Sequence, residues 1–214
     1  MGVRRVRFVS GEIYHVYNRS VANIPVFQGK KESELFLECS HYYNQERPPI
    51  KFSVYRTNRE RFSPSRSKPL VTVLAYCIMP THFHYLLRQE MDNGLLLFIK
   101  KISNSFAHYY SLKHHQAGHI FTGNFRAVHI EDEYQLLHVS RYIHLNPVTA
   151  YLTELPETYA YSSYKVYVEK ASSIFVDPSI ILGSFRSRKE YQRFTMDNKD
   201  YQRKLAKIKH LLLE

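Results

Sequence analysis

The sequence predicts an α+β domain, a sheet with helices on one or both faces, and three observations predict it. Strand-length segments of two kinds occur, the loosely alternating GEIYHVYNRSV (11–21) and the nearly continuous apolar LVTVLAYCIM (70–79). Amphipathic helical stretches fill 30–44, 92–113 and 131–147. The strands and helices interleave too loosely for a regular strand–helix–strand series, and no internal repeat is present.

In the first strand, Ile13, His15 and Tyr17 share one face and Tyr14 and Val16 the other. KKESELFLECSHYYN (30–44) sets Leu35, Phe36, Cys39, Tyr42 and Tyr43 along one side of a helix. Residues 46–69 are rich in Pro and Arg and weakly periodic, which reads as a mobile basic loop with a short strand near 51–55. A solvated surface and a nucleic-acid contact are equal readings of that loop. The apolar run 70–79 reads as a central strand covered on both faces; Pro80 and Thr81 interrupt it and HFHYLLRQ resumes the extended pattern. A helix capped by Asp92 follows, with Leu95, Phe98, Ile99, Ile102, Phe106 and Tyr109 as its buried stripe. A Gly-punctuated loop (114–130) leads into a strand through Phe125, Ala127 and His129. The third helix is capped near Asp132 and stopped by Pro147. Residues 1–155 read as the domain, and 156–214 as a mostly helical, basic and aromatic extension ending in YQRKLAKIKHLLLE.

Composition narrows the function classes. With 214 residues and 44% hydrophobic content the chain can bury a real core. Thirty Lys and Arg against nineteen Asp and Glu leave a formal charge of +11, which points to a polyanion. No apolar run approaches the roughly 18 residues of a membrane span, and the first residues hold no apolar leader core. Cys39 and Cys77 lie within apolar faces and form no metal-type pair, so a reduced, cytoplasmic compartment is expected. Most of the 18 Tyr and 13 Phe are core or surface rings, and some suit base stacking on single-stranded nucleic acid.

The stretch CIMPTHFHYLL (77–87) carries the first chemical signal. Alternation along a strand aims His82 and His84 to one side and Phe83 into the core, as two ligands of one ion require. Twelve histidines in this length give about 0.7 chance His-x-His occurrences, so two packed or surface histidines are the competing reading. In the third helix Tyr142 and Asn146 are neighbours one turn apart. They lie beside the stripe of Leu136, Val139 and Ile143, with Gln135 and His138 on the same flank. A half-buried tyrosine and a helix-end asparagine explain the same pattern without chemistry.

YHVYNRSV, AYCIMPTHFHYLL, GHIFTGNFR, RYIHLNPVTAYL and YAYSSYKVY occur in that order over about residues 10–170. Together these blocks resemble the REP-associated tyrosine transposases of the single-tyrosine HUH superfamily. Thr81 departs from the Asn or Glu more usual at its position. The resemblance implies a ferredoxin-like antiparallel sheet flanked by helices. It implies His82 and His84 as the metal pair and Tyr142 as the nucleophile. It also implies Asn146 as the third ligand of a Mg²⁺ or Mn²⁺ ion, with Gln135 or His138 as alternatives.

The activity so implied is cleavage and rejoining of single-stranded DNA next to hairpins through a 5′-phosphotyrosine, by a monomer or homodimer. Arg4, Arg5, Arg7, Arg19, Lys100, Lys101, Lys113 and Arg126 are the expected phosphate contacts, Arg126 foremost. Two rival classes remain: a domesticated hairpin-binding protein without catalysis, and a metal-dependent hydrolytic nuclease. A peripheral membrane protein has only the terminal basic stretch in its favour.

Overall fold

The computed structural model describes residues 7–61, 68–169 and 173–203. Four strands, β1 (Ile13–Arg19), β2 (Val71–Met79), β3 (His82–Gln89) and β4 (Arg126–His129), form one antiparallel sheet in the order β2-β3-β1-β4. Helix α1 (Lys30–Tyr43) joins β1 to β2, by way of the short α2 (Phe52–Thr57), and α3 (Gly94–His114) joins β3 to β4. This is the ferredoxin-like arrangement that the resemblance implies. The chain continues through α4 (Glu133–Thr149), α5 (Tyr164–Val168), α6 (Ser179–Leu182) and α7 (Arg188–Met196). Among the described residues no helix is long and apolar enough to cross a membrane.

Alternation divides the strands between two layers. Tyr14 and Val16 of β1, and Phe83 and Tyr85 of β3, are buried on the side of α1 and α3. There Phe36 packs on Phe83 with ring centroids 5.1 Å apart, and Phe98 meets Tyr85 at 5.9 Å. The opposite face presents His15, Tyr17, His82 and His84 toward α4.

Several expectations need correction. Strand β2 is an edge strand of the sheet, not a central one. Its run is apolar because both faces are buried and its outer edge is capped. Ile78 N–H donates to Tyr161 O (2.9 Å), Ser163 N–H to Tyr76 O (3.0 Å), Asp177 N–H to Val73 O (2.9 Å) and the Tyr167 hydroxyl to Leu74 O (2.6 Å). The segment after Pro156 therefore does the work of a neighbouring strand, and Tyr164, Tyr167 and Tyr191 join the common core.

Residues 51–55 begin a helix, not a strand. Phe52 and Tyr55, three apart, both reach Tyr42 of α1, at 5.5 and 4.4 Å, and one helical turn is what brings them to one side. Arg56 and Arg59 of the same segment pair with Glu38. Asp92 does not cap α3. Asn93 holds the N-cap in the left-handed region (φ 59°), while Asp92 accepts from the Ser10 hydroxyl at 3.0 Å. Gly94 then lies so close to Leu70 O that a Cβ would stand 2.3 Å from it. The α3 stripe ends on Tyr110, four residues past Phe106, with Tyr109 half-buried. Asp132 does cap α4, accepting from Gln135 N–H at 2.6 Å. Pro147 sits in the last turn and the helix runs on to Thr149, since proline there forfeits only its own bond to the preceding turn.

Phe83, fully buried between the two site histidines, ties their strand to the core. Phe83→Ala is expected to cost about 3–5 kcal/mol of unfolding free energy, read as a lowered urea midpoint.

Candidate active site

The two-residue turn Pro80–Thr81 returns the chain directly into His82, so both histidines stand at one end of the β2–β3 hairpin. The pairing of β3 with β1 sets Arg19 opposite His82 and Tyr17 opposite His84. The His82 and His84 rings lie 5.0 Å apart and nearly perpendicular, at 88°. Tyr142 comes down from α4 with its ring edge-on to His84, at 5.6 Å and 89°. These rings line a groove of about 850 Å³ together with His15, Asn18, Arg19, Thr122, Asn124 and Arg126.

The proton chemistry follows from burial. Burial pushes His82 down to about 4, with the Arg19 charge adding to it, and His15 likewise to about 4. His84 is held well below its ordinary value by burial and by the neighbouring His15, His82 and Arg19. All three rings are therefore neutral at physiological pH. Tyr142 is 39% exposed, and desolvation of its hydroxyl raises its pKa against the opposing effects of Asn146 and Arg19.

The ring nitrogens are not equivalent. His82 Nδ1 is hydrogen-bonded to Thr81 Oγ1 at 2.9 Å, and His84 Nδ1 to His15 Nε2 at 3.0 Å. The Nε2 atoms of His82 and His84 have no hydrogen-bond partner among the described residues. Two neutral imidazoles with Nδ1 engaged and Nε2 open are a donor set that fits a divalent ion. Among the described residues no three His, Cys, Asp or Glu side chains are grouped to hold one, so the remaining donors must be amide, phosphate or water oxygens.

The other expected residues are placed unevenly. Asn146 is buried at 8% exposure directly below Tyr142 and gives its Nδ2–H to Tyr142 O at 3.0 Å. It does not line the groove. Gln135 and His138 lie away from it: Gln135 Oε1 accepts from Glu131 N–H, and His138 Nδ1 accepts from Arg141 while its ring rests on Tyr134. Arg19 and Arg126 both line the groove. Lys100 lines a second cleft of about 500 Å³, which shares Asn18 and Asn124 with the first and includes Phe125. Lys101 turns away, its ammonium donating to Gln45 O and Glu46 O at 3.2 and 2.9 Å. Lys113 is paired with Glu32, and exposed Arg7 does not line the groove. Arg4, Arg5 and most of the terminal basic stretch lie outside the described residues.

His15 is the residue that sequence reasoning missed. Its alternation with Tyr17 and Arg19 was legible, but its meeting with His84 depends on a register between strands 69 residues apart.

The model of the family described as IS200-like transposase matches residues 39–146, a span that contains His82, His84, Tyr142 and Asn146. Among solved structures, a REP-associated tyrosine transposase bound to a REP hairpin superposes with a TM-score of 0.58 at 14% identity, covering 83% of this chain and 92% of that one. A Deinococcus radiodurans R1 protein described provisionally as a transposase gives 0.37 at 13% identity, covering 67% and 94%. No curated protein sequence matches significantly.

The buried neutral histidines set a pH dependence. Below pH 6.5 the unfolded chain takes up protons that folded His15 and His82 refuse until about pH 4, so stability is lost as pH falls through that window. The urea midpoint of the metal-free protein is expected to drop between pH 6.5 and 4, with a shallower slope in His82→Gln.

Proposed function

We propose that this chain, which belongs to the IS200-like transposase family, cleaves and rejoins single-stranded DNA next to hairpins through a covalent bond to Tyr142. The observation that carries this reading is the meeting of the Tyr142 ring with His84 of the same chain, over a groove edged by Arg19 and Arg126.

The residues divide the work. Arg19 and Arg126 hold the phosphates on either side of the scissile bond as charge-assisted hydrogen-bond donors. The second cleft, which shares Asn18 and Asn124 with the groove, takes the adjoining nucleotide, with Phe125 as a stacking surface. Tyr142 Oη attacks phosphorus in line, the bond from phosphorus to the 3′-oxygen breaks, and the phenol proton passes to water. The departing 3′-oxygen takes a proton from water, leaving a free 3′-hydroxyl and a 5′-phosphotyrosine. That bond conserves the energy of the phosphodiester, so attack by a 3′-hydroxyl rejoins strands without a nucleotide cofactor.

Burial raises the Tyr142 hydroxyl, so the phenol is a poor nucleophile unaided and depends on cationic surroundings. His82 and His84 would hold a divalent ion, Mn²⁺ or Mg²⁺, with amide, phosphate or water oxygens completing its shell, and the ion would supply Lewis-acid polarisation of the phosphodiester. The Tyr142 ring faces His84 and His15 of its own chain, which supports its serving its own site. The substrate is single-stranded there, since a tyrosine on a helix against a sheet cannot reach a phosphate within an intact duplex.

The test uses labelled hairpin DNA with varied single-stranded flanks, with Mn²⁺ or with EDTA, resolved on denaturing gels. A metal-dependent protein–DNA adduct is expected, absent in Tyr142→Phe and His82→Ala. Cleavage that survives Tyr142→Phe means a hydrolytic nuclease, and binding without adduct over all flanks means a hairpin-binding protein. Arg126→Ala is expected to weaken binding to all flanks alike and to reduce the slope of log affinity against log salt by about one.

A further inference from the structure

We infer that His15 is a positioning residue that fixes the tautomer of His84, leaving the His84 Nε2 lone pair free to bind the divalent ion. The inference rests on the metal reading above and deepens it. His15 comes from β1 and His84 from β3, and their rings lie nearly parallel, 5.2 Å apart at 20°. The contact is a ring-to-ring hydrogen bond, His15 Nε2 to His84 Nδ1, at 3.0 Å.

A bond between two neutral imidazoles holds one proton, and its direction decides the far side of each ring. If His15 donates, His84 carries its hydrogen on Nε2 and cannot bind a cation. If His84 donates from Nδ1, its Nε2 bears a lone pair. The groove favours the second arrangement. His84 lines it together with Arg19 and Arg126, and no Asp or Glu is among the described residues lining it to receive an N–H. A lone pair is stabilised next to those cations and an N–H dipole is not.

His82 shows the same construction. Its Nδ1 faces the Thr81 hydroxyl, an acceptor for Nδ1–H, and its Nε2 is likewise open. Each histidine of the pair therefore has a partner behind it, Thr81 for one and His15 for the other. His15 is also edge-on to Tyr142 at 6.0 Å, so the ring that orients His84 borders the nucleophile as well.

Two measurements test this. In the metal-free protein, ¹⁵N-resolved histidine spectra report which ring nitrogen is protonated. Wild-type His84 is expected to carry its hydrogen on Nδ1, and finding it on Nε2 overturns the inference. Titration with Mn²⁺ by calorimetry is expected to show about 10–100-fold weaker binding in His15→Leu, which removes the acceptor. His15→Gln sets its amide oxygen near the position of Nε2 and is expected to restore binding to near the wild-type level. Equal affinity of His15→Leu and wild type overturns the inference. Loss in His15→Gln as complete as in His15→Leu also overturns it, because His15 is then itself a ligand. Should His15→Leu fail to fold, the wild-type spectrum alone decides. Wild-type protein with the Nδ1–H tautomer but no Mn²⁺ binding refutes the metal reading while leaving the tautomer assignment standing.

Discussion

The pairing register of β1 with β3 is the constraint on which the rest of the site depends. It sets Tyr17 opposite His84 and Arg19 opposite His82 and, one step along, brings His15 into contact with His84. Side chains alternate strictly, so a slip of one residue would send all of His15, Tyr17 and Arg19 to the wrong face. Two features forbid the slip. Phe83 and Tyr85, between and beyond the histidines, are committed to the aromatic layer under α1 and α3. The turn itself is pinned, with Phe27 N–H donating to Pro80 O at 2.9 Å and Ser20 N–H to Thr81 O at 2.8 Å. The aromatic core on one side of the sheet thus fixes the chemistry on the other.

The second wall of the groove is α4, and its placement is the task of the C-terminal segment. His144, two residues past Tyr142, is fully buried and bonds with both nitrogens, to the Tyr191 hydroxyl at 2.6 Å and Ser163 Oγ at 2.8 Å. Burial drives His144 down to about 3, so it stays neutral and these bonds persist over the working pH range. Arg141 lies over the Phe194 ring at 4.3 Å, and Gln202 donates to Tyr142 O at 3.3 Å. The same segment caps the free edge of β2. It therefore ties α4 to the sheet from behind and holds Tyr142 at its distance from His84.

The fold was legible in the sequence wherever the signal was periodic. The alternation of 11–21, the α1 stripe and the Asp132 cap all read correctly, because each depends on residues a few positions apart. The position of β2 was not legible: an apolar run records burial of both faces, and a capped edge strand is buried in the same way. Residues 51–55 misled because the contact that decides them, Phe52 and Tyr55 on Tyr42, is made with another helix. In the site, the face shared by His82 and His84 followed from spacing alone. The choice of Tyr142 among 18 tyrosines came from the resemblance, and its approach to His84 could not be read from either element alone. His15 escaped because its role is a property of strand register, which the linear sequence does not display.

The groove joins neutral donors to a cationic rim, and that combination carries the argument for an anionic, strand-shaped ligand. No carboxylate lines it among the described residues, while Arg19 and Arg126 do. On the proposed reading, an ion held by two neutral imidazoles keeps its full double charge, and the protein offers nothing there to offset it. The compensating charge must arrive with the phosphates of the substrate. Ion and DNA then strengthen each other's binding, and by linkage they do so equally. Burial of three neutral histidines carries a stability cost in acid. That cost is the counterpart of keeping imidazole lone pairs available beside guanidinium groups, an arrangement of little use to a purely structural core and well suited to holding a phosphodiester.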